Sequence, residues 1–162
     1  MTTELYKQLD EVLTHQDMTV FDKLSKICEV LKSEINYYDW VGFYFAEHDD
    51  KTLHLGPFAG EPTDHKVIPF GKGICGQVAE SNSTFLVEDV HAQDNYIACS
   101  LTVKSEIVVP LFLNGKNIGQ IDIDSNTKNA FSEKDDEFLS HLNEKISVLL
   151  KDSETNLKSL YV

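Results

Sequence analysis

Apolar residues recur at three- and four-residue steps from Thr19 to Tyr37, through Val20, Phe21, Leu24, Ile27, Cys28, Leu31 and Ile35. That period lines them up on one stripe of an amphipathic helix. A less regular pattern from about Glu4 to Leu13 predicts a helix before it, so helices occupy about 4–37. At Trp40 the period changes. The aromatic and β-branched run WVGFYFA (Trp40 to Ala46) reads as a buried strand, KTLHLG (Lys51 to Gly56) alternates as a second, and the acidic EHDD between them is a hairpin turn. The next stretch, GPFAGEPTDHKVIPFGKGICG, is punctuated by Gly and Pro and reads as largely loop. Connections of that length usually shape a site. TFLVED (Thr84 to Asp89) is a further strand, followed by a polar loop from Val90 to Ser100. EIVVPLFLNGKNIGQIDIDS then reads as two strands around an Asn114-Gly115 turn. Both strands are apolar on both faces over part of their length, which implies a layer on each side of the sheet. SEKD, from Ser132, opens a final helix over about 132–151 whose stripe is Phe138, Leu139, Leu142, Ile146, Leu149 and Leu150. The tail beyond Lys151 is expected to fray. The pattern predicts one α+β domain over residues 1–162.

Composition narrows the function. The 162 residues are 41% hydrophobic and 25% charged, enough for one core and without the bias of a disordered chain. Twenty-seven acidic against 14 basic residues leave a formal net charge of -13, which repels the phosphates of nucleic acid and anionic lipid. No run approaches the roughly 18 apolar residues a membrane span needs, and MTTELYKQLDEV is no export signal. A cytoplasmic chain with no nucleic-acid or membrane partner is expected. Three cysteines, Cys28, Cys75 and Cys99, lack CxxC spacing, which argues against a disulfide framework or a zinc site. The six histidines show no HxxxH or HExxH, so no metal is expected.

Several residues could carry chemistry. In QIDIDS, strand periodicity turns Asp122 and Asp124 to one face, where they repel unless a cation or water lies between them. Glu106 enters the greasy run Ile107, Val108, Val109 and must be solvated, paired or used. A strict two-residue Asn114-Gly115 loop pairs Leu113 with Lys116 and puts Glu106 opposite Ile123, on the wrong face. A three-residue loop, Leu113-Asn114-Gly115, pairs it with Asp122. We expect that register or an equivalent bulge near Pro110, since a proline in this strand requires an edge or a bulge. Cys28 lies on a helix stripe and reads as an inert hydrophobe. Cys75, in GKGICG, falls near the start of a short helix, where a thiolate is favoured, although a packed, silent thiol is equally compatible. The same glycines do not make a phosphate loop, because GxxxxGK[ST] is absent.

Taken in order, WVGFY, LGPFAG, GKGICG, EDVH, YIAC, KSEIVVP and IGQIDIDS resemble the GAF-domain free methionine-(R)-sulfoxide reductases. The resemblance runs from about Trp40 to Phe138. It implies a GAF fold, a mostly antiparallel central sheet with packed helices, usually dimeric, that encloses free methionine sulfoxide. It implies that Cys99 is the catalytic cysteine and Cys75 a second family cysteine, that Glu106, Asp122 and Asp124 are polar ligands, and that Trp40 and Tyr44 form an apolar wall around the substrate's methyl group. The residue types suit that chemistry: a Cys99 thiolate attacks sulfur, Glu106 with a raised pKa supplies the proton, and ionised Asp122 and Asp124 hold the α-ammonium. No bound cofactor is implied, only a thioredoxin-like reductant. The chain departs from the family in PTDHKVIP, where His65 or a neighbour replaces a usual cysteine, and in YIACS, where Tyr96 and Ser100 replace a histidine and an aspartate. Resolution then falls to Cys75 or an external thiol. The alternative is a non-catalytic GAF module that binds an amino acid or other small ligand.

Overall fold

The structure, a computed structural model, describes residues 1–97 and 101–162, and its elements follow the periodicities of the sequence. Two helices, α1 (Thr3–Thr14) and α2 (Val20–Glu34), precede strands β1 (Trp40–Glu47), β2 (Thr52–Ala59) and β3 (Val67–Pro69). A short helix α3 (Gly73–Ser81) follows, then β4 (Phe85–Val87), β5 (Ser105–Leu113), β6 (Lys116–Ser125) and α4 (Glu133–Asp152). The strands form one sheet in the order β3-β2-β1-β6-β5-β4, with every pairing antiparallel. This is the expected α+β GAF architecture.

Alternation of side chains sorts two cores onto the two faces. Val41, Phe43 and Phe45 of β1, Ile107, Val109 and Leu111 of β5, and Ile121 and Ile123 of β6 pack against α1, α2 and α4. Trp40, Tyr44 and Val108 face the other way, where α3 supplies Ile74, Cys75 and Val78. That second face is covered by one short helix and by loops, which leaves room for a site there. Cys28 sits at 0% exposure in the first core, its thiol donating to the Pro57 carbonyl, and burial pushes its pKa well up. It is the inert hydrophobe that its stripe position predicts.

The stretch read as loop holds more structure than expected. β2 runs on to Ala59, and Val67–Pro69 adds an edge strand antiparallel to Thr52–His54. The tail does not fray: Leu160 is buried, and the Val162 amide donates to the Leu55 carbonyl at 2.8 Å. Ser132 caps α4 as expected, its amide donating to Asp135 Oδ2 at 2.9 Å.

The hairpin that carries the acids is built differently from the preferred expectation. Leu113 pairs with Lys116 around a two-residue turn in which Asn114 (φ 53) and Gly115 (φ 78) are both left-handed. The three-residue loop is therefore wrong. The extra residue lies in β6, because the pairing shifts from Phe112↔Asn117 to Leu111↔Gly119. This is the alternative bulge beside Pro110, and it places Glu106 opposite Asp124 instead of Asp122. One inserted residue restores the parity on which a shared face depends. β4 reaches along β5 only to Val108, and beyond it Asn143 of α4 donates to the carbonyls of Val109 and Pro110 at 3.2 and 3.0 Å. Pro110 thus lies beyond the reach of β4, on a stretch of β5 with a strand neighbour, β6, on one side.

Candidate active site

The bulged register turns Glu106, Asp122 and Asp124 toward α3, at 4%, 1% and 2% exposure. Cys75, third residue of α3, meets them there. Its thiol donates to Asp122 Oδ2 at 3.2 Å and lies 3.8 Å from Glu106 Oε1. Glu106 and Asp122 are hydrogen-bonded to each other.

Burial raises the pKa of Asp122, and its hydrogen bonds with Glu106 and Cys75 offset part of the effect. Asp124 is raised well above the ordinary carboxylate range, by burial first and then by the neighbouring charge of Asp122. Asp122 Oδ1 and Asp124 Oδ2 have no hydrogen-bond partner among the described residues. With no cation between them, low dielectric and the neighbouring charge push both carboxyls toward the protonated form.

Trp40, from the start of β1, stacks on Phe58 with ring centroids 5.6 Å apart and donates from Nε1 to the Glu61 carbonyl at 2.9 Å. Its indole lies over Gly42, where a Cβ would come within 2.3 Å of the ring. Only glycine lets the indole lie flat there. Tyr44, two pleats along the same face, is fully buried, and its hydroxyl donates to the His65 carbonyl at 2.9 Å.

Among the described residues these side chains divide between two neighbouring spaces. Trp40 and Asp124 line a cavity of about 570 Å³ together with Lys32, Asp39, Thr63 and Val103. Tyr44, Cys75, Glu106 and Asp122 line a tight space of about 10 Å³ with His65 and Ile97. The second space is about large enough for one water. Asp122 and Asp124, successive on one strand face, join the two. Cys99 lies outside the described residues, but Ile97 on one side of it borders the tight space, and Thr102 and Val103 on the other border the larger cavity.

Sequence reasoning missed Gln120. It lies on the same face as Asp122 and Asp124, is fully buried, and donates from Nε2 to the Cys75 carbonyl at 3.1 Å, tying α3 to β6. Its two-residue offset from Asp122 was the available signal. Lys32, Asp39 and Thr63 carried no pattern that separates them from surface residues.

Comparison with known proteins agrees with this geometry. The family model for the GAF domain matches residues 20–151. Protein YtsP of Bacillus subtilis is 38% identical over 146 residues, covering 90% of this chain and 88% of the relative. The free methionine-R-sulfoxide reductase of Escherichia coli is 36% identical over 143 residues, covering 86% and 85%. A solved structure of free methionine-R-sulfoxide reductase from Neisseria meningitidis in complex with its substrate aligns with a TM-score of 0.84 at 34% identity, over 93% of this chain and 90% of that one. The chain therefore belongs to the GAF domain family and, within it, to the group of oxidoreductases named free methionine-R-sulfoxide reductases.

Proposed function

We propose that the chain reduces free L-methionine-(R)-sulfoxide to L-methionine, with Cys99 as the attacking thiol. The observation that carries this reading is the buried acidic face: two raised aspartates with unpartnered oxygens, beside an aromatic wall and a cavity of about 570 Å³. Such a face is costly unless it meets a cation, and the α-ammonium of a free amino acid is one. A peptide-bound residue carries no ammonium at that place, which accounts for selection of the free amino acid.

In this reading the ammonium enters between Asp122 and Asp124 and draws both into the ionised form. Their protons leave to solvent. Trp40 and Tyr44 lie on the same face and offer apolar surface to the methylthio end. The Cys99 thiolate attacks the sulfoxide sulfur, Glu106 donates a proton to the oxygen, and the S–O bond breaks as that oxygen passes to Cys99 as a sulfenic acid. Methionine sulfur gains two electrons and Cys99 loses them. A second thiol then condenses with the sulfenic acid, releases water and leaves a disulfide, which a thioredoxin-like dithiol reduces. Cys75, against Glu106 and Asp122, is the resolving thiol assigned here. A homodimer in the cytoplasm, where thiols stay reduced, completes the proposal. Among the described residues no helix is long and apolar enough to cross a membrane.

The test is NADPH consumption coupled through thioredoxin and its reductase. Turnover should require free methionine-(R)-sulfoxide and vanish in Cys99→Ser. Stabilisation by the sulfoxide without turnover in the wild type would contradict the assignment.

A further inference from the structure

We propose that Cys75, Glu106 and Asp122 also form a binding site for a thiophilic divalent cation of the Zn²⁺ type. One ligand atom from each, a sulfur and two carboxylate oxygens, lies within 4.8 Å of the other two. The sulfur is 3.2 Å from Asp122 Oδ2 and 3.8 Å from Glu106 Oε1. In a tetrahedral zinc site with bonds of about 2.3 Å to sulfur and about 2.0 Å to oxygen, the sulfur-to-oxygen edge is about 3.5 Å. The two observed separations straddle that value, so both sulfur-to-oxygen edges match it to within a few tenths of an ångström.

A second observation points the same way. Asp122 is 1% exposed, and its Oδ1 has no partner among the described residues, so this carboxylate of the cluster has unused acceptor capacity. A buried acceptor left unmet is uncommon and calls for a ligand. Gln120 clamps the Cys75 carbonyl from below, which holds the sulfur in place without taking part in coordination. The hydrogen bonds among the three groups are those a proton makes where a cation is absent. On binding, protons held by the three groups leave to solvent, and three anionic ligands surround the ion. The adjoining space of about 10 Å³ has room for a water as fourth ligand. One thiolate with two carboxylates favours zinc over magnesium or calcium, which take oxygen ligands in larger numbers.

The consequence rests on the function proposed above: the ion occupies Glu106 and Asp122, so it competes with substrate and holds Cys75 out of disulfide exchange. The experiment uses the full reduced chain with Co²⁺ as a spectroscopic probe and Zn²⁺ in competition with a chromophoric chelator. One equivalent of Co²⁺ should give a sulfur-to-cobalt charge-transfer band that survives Cys99→Ser and disappears in Cys75→Ser. Zn²⁺ affinity should fall at least ~10-fold in both Cys75→Ser and Asp122→Asn, with folding of each variant checked by circular dichroism. Binding unchanged in those variants, or a band lost in Cys99→Ser instead, would overturn the site. Added methionine sulfoxide should weaken apparent Zn²⁺ affinity; metal binding that persists unweakened would uphold the metal site and count against the substrate assignment.

Discussion

Replacing Asp124 by Asn should make the chain more stable and, at the same time, unable to hold its ligand. Asp124 is 2% exposed, stands opposite Glu106 and Trp40 across the sheet, and keeps Oδ2 without a partner among the described residues. Its pKa is raised by burial and by Asp122. The folded chain therefore holds a proton that the unfolded chain has already released, over the interval from about pH 3.9 up to the folded value. Stability from this group is fully present below that interval and falls by about 1.4 kcal/mol per pH unit across it. A buried acceptor without a partner costs about 1–3 kcal/mol, which sets the scale of the effect. Asn keeps the shape and removes the charge, so at pH 7 without ligand Asp124→Asn should gain about 1–3 kcal/mol, or roughly 2–12 °C in Tm for a domain of this size. The gain should shrink toward zero near pH 4. Thermal unfolding from pH 4 to 8, with and without free methionine sulfoxide, reads all of this. The sulfoxide should stabilise the wild type and leave the variant unmoved. A variant destabilised at pH 7, or a gain independent of pH, would refute the reasoning.

Three further outcomes follow from the geometry. Gly42→Ala places a methyl against the Trp40 ring, so it should cost about 1–3 kcal/mol and raise KM for the sulfoxide more than it lowers kcat, read by denaturant unfolding and steady-state kinetics. Cys75→Ser should retain one stoichiometric reduction per chain but lose thioredoxin-coupled turnover, measured as methionine formed with and without added dithiol. Asp135→Ala should cost at least about 3 kcal/mol, because Tyr37 and Tyr38 both donate to Asp135 Oδ1 at 2.8 Å and the Ser132 amide to Oδ2 at 2.9 Å; urea unfolding reports it.

The shared face of Glu106, Asp122 and Asp124 was legible because strand periodicity fixes parity: any single inserted residue between Leu113 and Glu106 or between Lys116 and Asp122 gives the same face. Which strand takes the insertion was not legible. That is decided across the sheet, where β6 passes so close to β1 that a Cβ on Gly119 would lie 2.2 Å from the Tyr44 carbonyl oxygen. No local pattern encodes that approach. The placement of Cys75 at the start of a short helix was readable from its glycines, but its contact with Asp122 is tertiary. The ordered tail escaped notice because the partners that hold it, Leu55 and Glu47, lie about a hundred residues away in sequence. The protonation of the aspartates depends on how completely they are buried, which alternation alone does not report.

The central claim is that Cys99 meets a free amino-acid sulfoxide held by the acidic face. It is tested most directly by mixing the reduced chain with one equivalent of free methionine-(R)-sulfoxide, trapping sulfenic acid with a 1,3-dione, and locating the adduct by peptide mass spectrometry. The account predicts labelling of Cys99 with the R epimer, none with the S epimer, and none with either epimer in Asp122→Asn/Asp124→Asn. Labelling of Cys75 in its place, or of Cys99 regardless of epimer and of the aspartates, would contradict it.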